Sequence, residues 1–203
     1  MSNPSSAWHR LRTGNELFSV PDRSSRSELI SDRPVAAVFR CADTAMASEM
    51  VFGQNWGSLM DVSTWGHVID TGVLGTLEYA VDTLEVPLIV VLGHHGCTAM
   101  SATMRAWHDA EMPDGAARAM VEQAMSSILR RGSAADSLAA ITTAHVVETG
   151  LALLDRSPAI GRRVDAANCG IVCAATDQVS GRVRVYATIG AVGETDGALL
   201  ECV

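Results

Sequence analysis

Continuous apolar runs along the chain predict the strands of a buried sheet. The runs 35–39 and 88–92 contain no polar residue, as expected of parallel strands that are covered on both faces. The second run is β-branched in its middle, which favours a central position. Residues 59–63 predict a further strand, although Asp61 interrupts its apolar character.

Two later segments, 170–175 and 182–188, lie on either side of Ser180 and Gly181 and predict a hairpin. One of its strands should join the sheet and the other should form an edge. Apolar residues recur at helical spacing elsewhere. The predicted helices are 45–54, 73–84, 98–108, 115–131 and 134–155. These elements together predict an α/β fold with a central, mostly parallel sheet of four strands, an antiparallel edge strand and flanking helices.

The N-terminal segment predicts a separate amphipathic helix. Residues 5–18 place Trp8, Leu11 and Phe18 along one side of a helical projection. Residues 19–33 are rich in Ser, Arg and Asp and predict an exposed arm. We therefore expect the helix to protrude from the body, and its apolar side needs a partner. The alternative is that it folds back on its own subunit.

Length and composition indicate a single domain over residues 1–203, with an N-terminal helix and arm at 1–33 and an α/β core at 34–203. The net charge of -8 and the scattered Lys and Arg argue against a nucleic-acid surface. The N-terminus lacks the pattern of a signal peptide, and no run of 18 apolar residues predicts a membrane span. We expect a cytoplasmic protein with no membrane partner.

The candidate chemistry lies where the two clearest strands end. Cys41 and Asp43 follow the first run, and His94 and Cys97 follow the second, after Gly93 permits a turn. Carboxyl ends of parallel strands share one edge of a sheet, where sites of such folds lie. Two thiolates, one imidazole and one carboxylate form a complete tetrahedral ligand set for Zn²⁺.

Each motif alone also fits a simpler interpretation, because cysteine is a common small core residue. That interpretation suits Cys169, Cys173 and Cys202. The two motifs together favour a zinc site, and its fourth position is open to either water or Asp43. Water there could ionise near neutral pH and act as a nucleophile, whereas Asp43 there would close the site.

The sequence resembles the β-class carbonic anhydrases over most of its length. Their motifs Cys-x-Asp-x-Arg and His-x-x-Cys match 41–45 and 94–97 in order and spacing, and the segment 66–80 between them matches as well. The likeness continues at 14–18 and, more faintly, at 145–149 and 180–183. The resemblance implies the fold described above and a zinc enzyme that hydrates CO₂ reversibly to bicarbonate by zinc-bound hydroxide. The N-terminal helix and arm resemble the family segment that packs across a neighbouring subunit, and we therefore expect a homodimer or homotetramer.

By this resemblance Cys41, His94 and Cys97 would hold the zinc. Asp43 would be either the fourth ligand or the catalytic acceptor that orients the zinc-bound water. In such enzymes an ion pair with the arginine of the first motif draws the aspartate off the metal. That arginine is Ala45 in this chain.

Three further positions depart from the family pattern. Ser63 stands where the family has a second arginine, Trp65 where alanine is common, and Thr98 where glycine usually follows the second cysteine. Without its cation, Asp43 should prefer Zn²⁺ and close the site. We therefore expect weak or absent activity near neutral pH.

Other interpretations stay open at this point. Arg40 could replace a missing arginine, although strand alternation points it away from Cys41. His67 and His95 could shuttle protons or merely pack. The protein could be a non-catalytic structural or regulatory subunit, assembled with an intact paralogue, or a hydrolase of another small electrophile such as CS₂ or COS.

Overall fold

A computed structural model describes residues 3–16, 33–133 and 135–193. It contains one five-stranded sheet. In chain order the strands are β1 (Ala36–Cys41), β2 (Leu59–Thr64), β3 (Leu88–His94), β4 (Gly170–Thr176) and β5 (Val183–Gly190). Their spatial order is β2-β1-β3-β4-β5; the first four are parallel and β5 is antiparallel to β4. The predicted fold class is thus confirmed, including the antiparallel edge strand.

Helices flank this sheet. They are α1 (Pro4–Glu16), α2 (Ser48–Val51), α3 (Thr71–Glu78), α4 (Thr98–Asp109), α5 (Ala117–Arg131), α6 (Leu138–Arg156) and α7 (Pro158–Asp165). A π-helical turn, Tyr79–Thr83, continues α3. Gly132 ends α5 in the left-handed conformation, as expected of a helix stop. The sequence did not predict α7, although Ser157 caps its first turn and Pro158 begins it.

The two clearest apolar runs form the neighbouring central strands β1 and β3. Every residue of β3 is buried, and β1 pairs with it in parallel, with Arg40 opposite Leu92. Because parallel strands end at the same edge, this register brings Cys41 and His94 to one place. At the sheet's outer edge, the exposed Asp61 of β2 forms an ion pair with Arg40 at 2.9 Å. This pair explains why a carboxylate interrupts the strand.

Gly93 has a different role from the one that its sequence position predicts. It lies inside β3, opposite Ala175, and not in a turn. A Cβ atom there would lie 2.8 Å from Val146 Cγ2, so the missing side chain lets α6 pack closely on the strand. The turn after His94 is instead made at Gly96, whose φ is 73°.

The N-terminal helix is confirmed, but it lies against the sheet of its own chain instead of protruding. Ala7, Trp8 and Leu11 are buried with Val38 and Phe52 in one apolar cluster. Burial of these side chains on the body gives the helix a partner without a second subunit. The predicted exposed arm and Phe18 fall largely on residues 17–32, outside the described residues.

Polar contacts and a close approach fix this packing. The buried Asn15 side chain donates to the carbonyl oxygens of Val51 and Gly181 and accepts from the amide of Val183. A Cβ atom at Gly14 would collide with the carbonyl oxygen of Phe52. These contacts tie α1 to both α2 and the β4–β5 hairpin.

Helix α6 is long and apolar enough to cross a bilayer by length and composition alone. Half of its 18-residue apolar stretch is buried inside the structure. Its buried residues include Ile141, Val146 and Leu153, of which Val146 and Leu153 belong to the cluster that also contains Ile89 and Ile171 of the sheet. The apolar character therefore serves its packing on the sheet.

The position of α1 predicts opposite effects for two glycine substitutions. Gly14→Ala should lower the free energy of unfolding by about 1–3 kcal/mol, because the methyl group has no room. Gly75→Ala is the control, because Gly75 lies in α3 and, apart from its chain neighbours and the helix's own backbone, no atom of the described residues lies within 4 Å of its missing Cβ. Alanine there should be neutral or stabilising by up to about 1 kcal/mol. Urea denaturation measures both. Stabilisation by Gly14→Ala would show that α1 does not pack on the body.

Candidate metal centre

The structure brings together all four side chains that the sequence singled out. Cys41 is the last residue of β1, His94 is the last residue of β3, and Cys97 precedes the first turn of α4. Asp43 lies in the turn after β1. One ligand atom from each residue lies within 4.8 Å of all the others. Cys41, His94 and Cys97 are almost fully buried and Asp43 is half-buried.

The two sulfur atoms have the spacing that a tetrahedral metal requires. Zinc–sulfur bonds of about 2.3 Å place two tetrahedral thiolates roughly 3.8 Å apart. The Sγ atoms of Cys41 and Cys97 are 3.7 Å apart. Together with the imidazole and the carboxylate, they offer donor types that suit Zn²⁺. The residues therefore fit this metal.

One oxygen of Asp43 faces this cluster. Its Oδ1 lies 2.6 Å from His94 Nε2 and 2.8 Å from Cys41 Sγ. These are hydrogen-bond distances, shorter than the roughly 3.4 Å between two light ligand atoms of one tetrahedral ion. Binding an ion would thus require Oδ1 to move outward slightly.

The other oxygen of Asp43 is held by Thr98. The Thr98 amide and hydroxyl both donate to Oδ2, at 2.8 and 2.6 Å. The indole nitrogen of Trp65 in turn donates to the Thr98 hydroxyl at 2.9 Å. Sequence reasoning did not foresee these contacts; its one signal was that Trp65 and Thr98 both depart from the family pattern.

Hydrogen bonds decide the charge state of the carboxylate. Burial tends to raise the pKa of Asp43, but hydrogen bonds from Cys41 and Thr98 outweigh this effect and lower that pKa below its usual range. Burial likewise tends to lower the pKa of His94, and its hydrogen bonds with Cys41 and Asp43 raise it overall. Asp43 is therefore an anion beside the imidazole.

The two thiols share their charge unequally. The hydrogen bond with Cys97, followed by burial, raises the pKa of Cys41. The same hydrogen bond lowers the pKa of Cys97. Loss of the first proton thus makes loss of the second harder. A divalent cation removes this resistance, because a coordinating thiol is deprotonated.

No arginine contacts Asp43 in the part of the chain that the structure describes. Ala45 and Ser63 are both exposed. Arg40, the alternative cation, pairs with Asp61 on the edge strand. Strand alternation sets this direction, because successive side chains of β1 point to opposite faces. Arg40 therefore does not replace the missing arginines.

A buried histidine holds the backbone segment that hydrogen-bonds to Cys41. The Gly66 amide donates to Cys41 Sγ at 3.1 Å, and the Gly66 carbonyl lies 2.8 Å from His145 Nε2. A carbonyl oxygen can only accept, so His145 carries a proton on Nε2, and its Nδ1 lies 3.0 Å from the Ser127 hydroxyl. Gly66 has φ 67°, and a Cβ there would collide with Met120.

The candidate proton carriers lie in different surroundings. His67 is buried and its Nε2 lies 3.1 Å from the Leu92 carbonyl, which is a packing role. His95 is exposed, with its Nδ1 3.4 Å from Asp177. Gln178 of the β4–β5 hairpin contacts His94 Nδ1 and donates to the His95 carbonyl. No sequence motif pointed to Gln178.

The other cysteines of the described residues are ordinary core residues, as the simpler interpretation predicts. Cys169 and Cys173 are fully buried outside the cluster, and burial raises the pKa of each to about 12. They are core residues with thiol protons. Cys202 lies outside the described residues.

Comparison with known proteins points to one family. The family model for carbonic anhydrase matches residues 36–183. Carbonic anhydrase 2 of Mycobacterium tuberculosis is 39% identical over 202 residues, covering 95% of this chain and 98% of that protein. The match thus includes both candidate ligand motifs and extends beyond them at each end.

Solved structures share the fold. The β-carbonic anhydrase of Coccomyxa, in complex with acetazolamide, has a TM-score of 0.66 at 20% identity, covering 76% of this chain and 72% of its own. A tetrameric β-carbonic anhydrase of Sordaria macrospora has a TM-score of 0.66 at 17% identity, covering 76% and 81%.

The buried imidazole of His67 predicts a loss of stability in acid. Burial lowers the pKa of His67 to about 3, whereas an unfolded histidine titrates near 6.5. The stability contribution is therefore complete above about pH 6.5 and is lost as the pH falls toward 3, because only the unfolded chain takes up the proton. At pH 5 the loss should reach about 2 kcal/mol.

Urea denaturation between pH 7 and 5 tests this expectation. His67→Gln, which keeps a neutral donor, should show a shallower decline of the unfolding free energy than the wild-type protein. His9→Gln, at an exposed position of α1, should decline like the wild type. Equal slopes for all three proteins would contradict the role of His67.

Proposed function

This chain belongs to the β-class carbonic anhydrase family, whose members are zinc enzymes, and on that premise we propose that Cys41, Asp43, His94 and Cys97 hold one zinc ion. The observation that carries the proposal is their convergence within 4.8 Å. The 3.7 Å between the two sulfurs supports it. The alternative of two ordinary core cysteines would not require an imidazole and a carboxylate beside them.

The reaction that the family implies is reversible hydration, CO₂ + H₂O ⇌ HCO₃⁻ + H⁺. A zinc ion bound here supplies a Lewis acid that lowers the pKa of water toward neutrality. The residues of this chain decide whether water has access. Asp43 Oδ1 faces the two thiols and the imidazole, and so would compete with water for the fourth position.

The missing arginine should shift this competition toward Asp43. Charge-assisted contacts from an arginine would draw both carboxylate oxygens away, but position 45 is alanine and Arg40 is engaged with Asp61. We infer that the site is closed and that CO₂ hydration near neutral pH is weak or absent.

A non-catalytic role in an assembly is the second candidate. It is favoured by the same convergence, a complete ligand set in which Thr98 holds the carboxylate of Asp43. The Sordaria relative is described as tetrameric, and we propose a homodimer or homotetramer here, or a hetero-oligomer with an intact paralogue. Co-purification with such a paralogue from the native source would support this role.

Hydrolysis of another small electrophile, such as CS₂ or COS, is a third candidate. Trp65 and Thr98 motivate it, because they reshape the surroundings of Asp43. Failure to release sulfide from either compound would remove it.

Restoring the arginines should raise activity. The wild-type protein should retain about one zinc per chain but hydrate CO₂ far below the order of 10⁶ s⁻¹ that efficient carbonic anhydrases reach. The variant Ala45→Arg with Ser63→Arg should hydrate CO₂ faster than the wild type, because Asp43 gains a competing partner. Stopped-flow CO₂ hydration and metal analysis measure both properties.

The matched control is Ala42→Arg, which adds the same cation at an exposed position of the same turn. It should leave the rate unchanged. A wild-type rate typical of an efficient enzyme would contradict the closed site. Protein that carries no zinc even when zinc is supplied would contradict the ligand assignment.

A further inference from the structure

Three departures from the family pattern affect the carboxylate of Asp43. Ala45 removes a cation from its neighbourhood, and Trp65 and Thr98 supply hydrogen bonds that lead to it. Trp65 follows β2 directly and Thr98 is the first residue of α4. They are distant in sequence and meet only because β2 and β3 end at the same edge of the sheet.

The direction of these hydrogen bonds is fixed by the donor groups. An indole N–H can only donate, so the Thr98 oxygen accepts from Trp65. The single hydroxyl proton of Thr98 is then available for Asp43 Oδ2, 2.6 Å away. This distance is typical of a hydrogen bond to an ionised oxygen. Accepting from the indole also strengthens the hydroxyl as a donor.

The backbone adds a second donor to the same oxygen. The Thr98 amide begins the 12-residue helix α4, where the first amides have no partner within the helix. It donates to Oδ2 at 2.8 Å. Both donors therefore converge on Oδ2 and leave Oδ1 directed at Cys41 and His94.

This arrangement differs from what an arginine would do. A bidentate guanidinium engages both oxygens of a carboxylate, which turns the group away from a metal. The two donors of Thr98 contact only Oδ2 and leave Oδ1 free of them. The same carboxylate is thereby positioned for the metal instead of being removed from it.

We propose that Trp65 and Thr98 are positioning residues that lock Asp43 in the fourth ligand position. The inference rests on the proposed zinc site, since it concerns how one of its ligands is held. It also implies that Ala45→Arg with Ser63→Arg opens the site only partly, because the lock remains. Adding Thr98→Val to that variant should raise its CO₂ hydration rate further.

Zinc affinity, measured by competition with a chelator, tests the lock without any turnover. Thr98→Val removes the hydroxyl and should weaken zinc binding about tenfold, at the lower end of the effect of losing a hydrogen bond to a metal ligand, because Thr98 is exposed. Thr98→Ser keeps the hydroxyl and should bind zinc like the wild type. Trp65→Phe should weaken binding less, because the indole acts through Thr98.

The double variant Trp65→Phe with Thr98→Val should bind zinc no more weakly than Thr98→Val alone. Both substitutions interrupt the same series of hydrogen bonds, from Trp65 through the Thr98 hydroxyl to Asp43. Thr103→Val is the control in the same helix, because among the described residues that hydroxyl bonds only to the Ala99 carbonyl. Trp107→Phe is the control for loss of an indole. Both controls should bind zinc like the wild type.

Cobalt substitution gives a second readout. The visible absorption of bound Co²⁺ should change in Thr98→Val, as expected when a fixed carboxylate ligand is released, and should stay unchanged in Thr98→Ser. Wild-type affinity and spectrum in Thr98→Val would overturn the lock and leave the zinc site intact. A wild-type protein that binds neither metal would overturn the site and the lock together.

Discussion

The carboxylate of Asp43 lies between two groups of partners, and each of its oxygens serves one of them. Oδ1 faces Cys41 and His94, and Oδ2 accepts from Thr98. A carboxylate held in this way stays ionised and keeps its orientation. The chemistry open to the site depends on this constraint, because a ligand position taken by Asp43 is not available to water.

The topology of the sheet brings the partners of Asp43 together. Parallel strands β1 and β3 end side by side and place Cys41 and His94 at one edge, while β2 ends beside them and leads into Trp65 and Gly66. Close approaches complete the arrangement, since Gly93 admits α6 and Gly66 brings its amide to Cys41. His145 of α6 then holds the Gly66 carbonyl. The metal centre is therefore supported by the same packing that stabilises the core.

Much of this could be predicted from the sequence, for physical reasons. Continuous apolar runs identify buried parallel strands, and strand ends gather at one edge, so the convergence of Cys41, Asp43, His94 and Cys97 follows from pattern and topology. Contacts between polar groups from distant segments do not follow. The bonds of Thr98 to Asp43 and of His145 to Gly66 depend on side-chain direction, which neither periodicity nor spacing specifies.

The sequence left the packing surface of α1 open between a neighbouring subunit and its own, and favoured the wrong one for a related reason. An amphipathic face shows that a helix needs a partner but does not say which surface supplies it. The buried Asn15 and the close approach at Gly14 identify the chain's own α2 and β4–β5 hairpin as that surface.

The central claim remains the orientation of Asp43. A crystal structure of the zinc-loaded protein at about pH 8, above the value near 7 to which zinc lowers the pKa of water, tests it most directly. The account predicts Asp43 Oδ1 on the zinc ion with Oδ2 on Thr98; a solvent molecule on the zinc, with Asp43 turned away, would contradict it.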